Sequence, residues 1–530
     1  MVILEIDYMK GTKLPPGVKM AFGLRSPVST PPVSFEGKTH TLEDIFMKAG
    51  LRLDIQVSDE IATLGDTYSL RDLIGIMRNK STRNTLFGSY AYLLIVNGIY
   101  LRQDDDGVMR PDPDTLGVMF DMGKREGTAV FYQNDWIKTQ PVAYLRTTAH
   151  ELGHQFNLHH RDGDMYKIPG SQQRKYTIMN QTGIIVEFGK WPAGILLEFG
   201  QLEIDHLSKH PKNYVDPGKS RFDGTCGTSD HEQWHDEAPN RLDVTSGLTG
   251  FDTINSEILD FEIQMGKNEY LPGQPSIAYL KLSNNGSEPI SLIDSLDPQY
   301  STVKFYVNGV RFLPYAYIDF VPKMRVLNPG ESIVGRAKIF YGSEGYTFPE
   351  PGTYKVRATY QGLTYGLGKV IDSNIIDVII RPPKDKEEED QMNLIKGDQQ
   401  ALFFLFEGGD DLTEGISQLT KLAQKYPHST LGSYANAALG LHWSREFKDF
   451  KNSRVRKPDE EKARPFLEAA TDSTKGYWAD AAFLNLADIE KKKGDKESMK
   501  NILDRYIQKF ENDSKNTNGL ATARRILNEG

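Results

Sequence analysis

Between Val2 and about Pro217 the apolar positions change period several times. ILEIDY, residues 3–8, has the short apolar run of a strand, and TLEDIFMKAGL after it places apolar residues at helical spacing before Ala49 and Gly50, a C-cap pair. LDIQV, AYLLIV, LGVMF and TAVFY then read as four strands separated by Gly, Asp and Asn signals. Over 140–157 the period returns to that of a helix. At about 100° per residue, Val142, Leu145, Ala149, Leu152 and Phe156 form one stripe, and His150 and His154 sit together roughly 150° away from it. One face packs and the other presents imidazoles.

From 241 to 381 the pattern becomes alternating strands with turns at regular spacing: ILDFEIQM, SIAYLKLSNNG, TVKFYVNG, SIVGRAKIFYG and TYKVRATYQG. This density of short runs predicts a β-sandwich, and YLPGQ and FPEPGTYKV resemble strand-opening turns of an immunoglobulin-like domain. PPKDKEEEDQ opens a charged linker, 382–392, and 393–530 is helical. There AALGLHW and AAFLNLA echo each other, and KLAQKYPHS resembles the end of a tetratricopeptide helix pair. The echo spacing of 44 exceeds the ~34 of that repeat, so the segment reads as TPR-like.

The expected fold class is therefore multidomain: an α/β domain over 1–217, a polar connecting loop at 218–240, an all-β sandwich over 241–381, the linker, and an all-α domain over 393–530. A length of 530 residues agrees, being too long for one hydrophobic core. With 38% hydrophobic and 25% charged residues the composition is globular, and no apolar run approaches the ~20 residues of a membrane span. A net charge of -9 without a basic stripe excludes nucleic acid as an expected partner. The single cysteine, Cys226, cannot form an internal disulfide. MVILEIDYMKG has no leader pattern. A secreted, periplasmic or cell-surface location with the signal removed is the expectation, with the cytoplasm as the alternative.

The sharpest chemistry lies in TTAHELGHQFNLHH, 147–160. Two histidines four apart on a helix can converge on one ion, and Glu151 beside them can reach a water on it. Asn157, tolerant of left-handed backbone, can end the helix and bring His159 or His160 back toward the same point.

HELGHQFNLHH is similar to the metzincin zinc signature HExxHxxGxxH, with Asn157 where the family usually has glycine. The resemblance covers about 1–217. It implies His150, His154 and His160 as ligands of one catalytic Zn²⁺, Glu151 as general base, and Met179, nineteen residues after His160 in YTIMNQ, as the methionine of the Met-turn. It also implies that LGVMF, 116–120, is the edge strand against which an extended peptide pairs, and that FGQLEIDHLSKH is a closing helix. The activity implied is zinc-dependent hydrolysis of peptide or protein substrates, with Glu151 moving the proton from water to the leaving amine. The TPR-like region suggests a protein partner.

Two alternatives differ in class. A zincin of another clan would take a carboxylate third ligand, for which Glu198 and Glu203 are available; a catalytically idle zincin scaffold would act as a binding protein, against which an intact Glu151 argues. A second formal HExxH, His231, Glu232 and His235, has acidic flanks and no apolar stripe, and reads as a polar loop. DDDGVMRPDPD, 104–114, offers carboxylates to calcium, but misses the EF-hand spacing and reads as a solvated loop.

Overall fold

The computed structural model describes residues 1–530 apart from 20, 24–26, 83–89, 105, 161–165, 168–173, 188–189, 223–257, 301, 321–323, 362–369, 474, 514, 516 and 530. The chain has several β-sheets and many helices distributed over several cores. His231, Glu232, His235 and Cys226 lie outside the described residues, as does most of the 218–240 stretch.

The expected strands of the first region assemble into one eight-stranded sheet. Its order is Ala316–Phe320, Thr115–Phe120, Gly127–Phe131, Tyr90–Val96, Val2–Met9, Leu53–Ile61, Ala21–Gly23, Pro27–Val28. Gly127–Phe131 through Ala21–Gly23 run parallel, and helices carry the chain back between Ala21–Gly23 and Leu53–Ile61 and between Leu53–Ile61 and Tyr90–Val96. Tyr90–Val96 is buried at every position, as a central parallel strand requires. Thr115–Phe120 is antiparallel to Gly127–Phe131. The helix Leu42–Lys48 starts at Thr41, whose side chain accepts from the Asp44 N–H, and Gly50 after it has φ +78°. A helix that the periodicity passes over, Leu70–Lys80, opens with a capping box between Ser69 and Asp72.

The second region holds a three-stranded sheet, Leu259–Met265, Ile277–Asn284 and Ser332–Lys338, and a six-stranded one centred on Gly352–Tyr360. Both contribute to one apolar cluster that includes Phe261, Leu280, Phe305 and Val356. The alternation seen in sequence is borne by Leu259–Met265, whose odd positions are buried. One strand of this region leaves it: Ala316–Phe320 pairs with Thr115–Phe120 in the first sheet.

The stretch expected as a linker is helical from Lys386 to Ile395. Asp385 caps it by accepting from the Glu388 N–H at 2.8 Å, and Glu387, Glu388 and Glu389 sit in the first turn, where the helix dipole favours them. Arg381 then ties Glu388 back to the preceding strand at 2.6 and 2.8 Å. Charge that reads as solvated linker is here the N-terminal signal of a helix.

AALGLHW and AAFLNLA fall within the helices Thr430–Ser444 and Tyr477–Lys493, both largely buried. The helical region shares an apolar cluster with Leu271, Ile277, Phe340 and Tyr341 of the second region. Glu407, 2% exposed, lies between Lys338 Nζ at 3.0 Å and Arg445 Nη1 at 2.8 Å, with the Tyr477 hydroxyl donating to it. Burial pushes its carboxyl up, but the charges of Lys338 and Arg445 outweigh that and hold it below the usual carboxylate range. Glu407→Gln leaves two buried cations without their counter-charge, which costs about 3–5 kcal/mol. The stability that Glu407 contributes is present above the ordinary carboxylate pKa and lost as pH falls through the lowered folded value. Thermal melts should therefore show the variant well below wild type at neutral pH, with the gap narrowing in acid. Equal melts at neutral pH would contradict the role given to this triad.

Among the described residues no helix is long and apolar enough to cross a membrane.

Candidate metal centre

The helix carrying the histidines spans Pro141–Gln155, with proline at its start, where the missing N–H costs nothing. Leu145, Ala149, Leu152 and Phe156 are 0% exposed, as the stripe predicts, and Val142 packs partly buried beside them. His150, Glu151 and His154 are also 0% exposed, so the opposite face is covered as well.

The helix ends in a Schellman motif. Leu158 N–H donates to Gly153 O and Asn157 N–H to His154 O, both at 3.0 Å, and Asn157 has φ +64°. Asparagine thus performs the left-handed turn expected of it, and the chain doubles back so that His160 faces His150 and His154. The Nε2 atoms of the three rings lie 3.1 Å from one another in all three pairs.

Each ring is held by its outer nitrogen. His150 Nδ1 donates to Ile178 O and His154 Nδ1 to Leu158 O, each at 2.7 Å. His160 Nδ1 lies 2.8 Å from the Gln181 amide and 3.0 Å from the Tyr317 hydroxyl. Burial lowers the pKa of His150 to about 3 and those of His154 and His160 well below the ordinary value. The imidazoles are neutral, and with Nδ1 of His150 and His154 committed to carbonyls, their Nε2 lone pairs point inward. Lone pairs meeting at this distance repel unless a cation lies among them, and the outer hydrogen bonds are those that orient metal ligands. The donor set fits one ion in a site with three protein ligands.

Glu151 stands beside the trio. Both its carboxylate oxygens are buried without a hydrogen-bond partner among the described residues. Burial, reinforced by Asp319 and opposed by Arg146, raises its carboxyl well above the usual range. Gly117 lies against it, on the strand Thr115–Phe120, which is not the expected sheet edge because Ala316–Phe320 pairs on its outer side, and a Cβ there would overlap the carboxylate. Gly117→Ala should displace Glu151 while leaving the histidines in place. We expect metal content unchanged and hydrolysis lowered by roughly 10²-fold, the scale of a misplacement of about 1 Å. Metal analysis and peptide kinetics on the variant, in the wild-type and Asp319→Ala backgrounds, check this, and parent-rate kinetics in both would refute it.

Met179 is fully buried under the helix; a Cβ on Gly153 would lie 2.5 Å from its Sδ, which explains the glycine between Leu152 and His154. The expected alternatives for a third ligand are engaged elsewhere: Glu198 pairs with Lys48 at 2.5 Å, and Glu203 accepts from the Thr177 hydroxyl at 3.1 Å. His159 is not solvent-facing. It is 6% exposed and stacks on Phe222 with ring centroids 4.1 Å apart. In the 104–114 segment, Asp104 and Asp106 pair with Arg110, Asp104 also with Arg102, and Met109–Asp112 is a strand instead of loop. Among the described residues, Asp104 and Asp106 are neutralised by arginine.

Two buried arginines escape a sequence reading. Arg146, one turn before His150, donates to Thr182 Oγ1, Ile178 O and Asn180 O, locking the Met179 turn to the helix. Arg125 donates to the carbonyls of Gln155, Tyr214, Val215 and Asp216, tying the helix end to the chain after the closing helix Gln201–Lys209. The spacing of Arg146 from His150 is the one signal that could have marked it. Tyr317 and Asp319, which also border the centre, come from the second region.

No family model matches the chain, and no curated protein matches it. Among solved structures, the CARDB domain of a Pyrococcus furiosus protein is similar at 18% identity, over 26% of this chain and 94% of that chain, with a TM-score of 0.15. Spo0M, the sporulation control protein of Bacillus subtilis, is similar at 10% identity over 26% of this chain and 55% of its own, with a TM-score of 0.17. A β-glucosidase from Listeria innocua is similar at 8% identity, over 71% of this chain and 45% of that chain, with a TM-score of 0.16. Likenesses this slight carry no argument about fold or activity.

Proposed function

We propose that the chain is a zinc-dependent endopeptidase of metzincin type, in which the first region is the catalytic domain, the second an immunoglobulin-like sandwich and the third a TPR-like helical domain. The observation that carries the reading is the trio of Nε2 atoms at mutual 3.1 Å with an unpartnered, buried glutamate next to one of them. A structural metal site has no use for such a glutamate; hydrolysis does.

His150, His154 and His160 would hold the ion. When bound, Zn²⁺ supplies a Lewis acid that polarises a carbonyl and makes water a nucleophile near neutral pH. The rest falls to the protein. Glu151 accepts the proton of the attacking water and returns it to the leaving nitrogen. Gly117 gives its carboxylate room, and an extended peptide would pair with Thr115–Phe120 on the side that Ala316–Phe320 occupies. Asn157 fixes the turn that delivers His160, and Met179 supports the helix from below. The Tyr317 hydroxyl, 3.0 Å from His160 Nδ1, orients that ring. The helical region, covered by no substrate function in this reading, is assigned to a protein partner.

The test is metal analysis of the purified chain together with hydrolysis of a broad peptide library, with and without a chelator. One zinc per chain and cleavage abolished by the chelator are expected. Stoichiometric zinc with no cleavage of any peptide, in wild type and in the Asp319→Ala chain described below alike, would favour a binding scaffold over an enzyme.

A further inference from the structure

The strand Ala316–Phe320 lies where a substrate strand would lie. It sits in sequence between Val310–Arg311 and Met324–Leu327, both strands of the second region, yet pairs with neither of that region's sheets. Instead it runs antiparallel to Thr115–Phe120, with Phe320 opposite Thr115, Asp319 opposite Gly117, Ile318 opposite Val118, Tyr317 opposite Met119 and Ala316 opposite Phe120. A sheet edge beside a hydrolytic centre is the usual seat of an extended peptide, and here the chain itself fills it.

Side chains two apart on a strand share a face, and Tyr317 and Asp319 both face the centre. The Tyr317 ring lies 4.7 Å from that of His160 and 4.8 Å from that of His154. Asp319, 1% exposed, has a carboxylate oxygen within 4.8 Å of a Glu151 oxygen and a His150 nitrogen. One of its oxygens accepts from the Thr182 hydroxyl at 3.0 Å; the other is buried with no hydrogen-bond partner among the described residues, as are both oxygens of Glu151. Arg146, the cation nearby, spends its hydrogen bonds on Thr182 and two backbone carbonyls. Two carboxylates brought together in a dry site repel unless one keeps a proton or a positive charge stands between them and answers both.

We propose that Ala316–Phe320 is an internal occupant of the peptide-binding edge, with Asp319 closing the open side of the metal centre, so that the chain as folded is latent. The proposal rests on the zinc-peptidase reading. The second region is then a gate as well as a neighbour: a substrate of the same extended form must replace this strand before it can reach Glu151.

The experiment uses the full chain, wild type and Asp319→Ala, loaded with zinc or with cobalt. A small hydroxamate, which needs the open side of the ion, is titrated against both while the cobalt visible spectrum is followed, and hydrolysis of a short peptide is measured beside it. If the open arrangement is populated to about one-tenth or less in wild type, the hydroxamate should bind Asp319→Ala at least about tenfold more tightly, with hydrolysis raised in parallel. Metal content should stay at one per chain. Asp319→Asn, which keeps the Thr182 hydrogen bond and removes the charge, should shift affinity in the same direction and covers the case in which the alanine variant misfolds. Unchanged hydroxamate affinity with metal retained overturns the latch and leaves the zinc reading intact. Loss of metal in both variants makes Asp319 a required ligand and also overturns the latch. Failure of wild type and variants alike to bind zinc or cobalt overturns both readings.

Discussion

Replacing Glu151 by glutamine is expected to leave zinc near one per chain and to lower peptide hydrolysis by about 10²–10⁴-fold, the range of losing a general base. The substitution keeps size and a polar head, so the packing against Gly117 survives. What it removes is the ability to accept a proton. Neither carboxylate oxygen has a hydrogen-bond partner among the described residues, so no hydrogen bond among them is lost with the charge, and the histidines keep their bonds to Ile178 O and Leu158 O. The measurement should be made in wild type and in Asp319→Ala, because a latent chain has little turnover to lose. Should Glu151→Gln cleave peptides at the parent rate in both backgrounds, the peptidase mechanism is wrong.

This centre divides into what a local stretch of chain encodes and what only the folded chain assembles. The helix, its two histidines and the left-handed turn at Asn157 all fall within residues 141–160, where hydrogen bonds reach a few positions at most, and each could be read from spacing and backbone preference; the choice of His160 over His159 came only from the resemblance to the metzincin signature. Five of the eight strands of the first sheet, in ILEIDY, LDIQV, AYLLIV, LGVMF and TAVFY, were legible for the same reason. Pairing is different. Nothing in the alternation of YAYIDF says that it joins a strand two hundred positions earlier instead of its own region's sheets, since a strand's apolar pattern marks a buried face and not the neighbour beside it. Asp319 and Tyr317 were therefore invisible as parts of the centre. Arg125 and Arg146 were hidden by a sound prior, that arginine stays in water; both are 0–1% exposed because backbone carbonyls surround them. Gly117 left a faint trace, a glycine inside a strand, which often marks the close approach of another group. The charged run after Pro382 misled in the opposite way, because acids that cap a helix and acids that solvate a linker look alike in composition.

The adjacent pair His159 and His160 should respond oppositely to truncation. His160→Ala removes one of three ligands, and zinc affinity should fall by more than the about 10–100-fold that follows loss of a ligand's hydrogen-bond partner. Hydrolysis falls with it. His159 points away from the trio and lies stacked at 25° on Phe222, which in turn packs 5.1 Å from the Tyr317 ring. His159→Ala should therefore cost stability, about 0.5–1.5 kcal/mol for an aromatic contact plus the cavity it leaves, while zinc remains bound. The register is set by the Schellman turn, since Asn157 and Leu158 are both tied to the last turn of the helix and leave His160, not His159, on the inner side. Dialysis against a zinc buffer series, with thermal melts on the same samples, separates the two effects. If His159→Ala releases zinc and His160→Ala retains it, the chain turns back one residue earlier than the turn at Asn157 allows, and the ligand set is wrong.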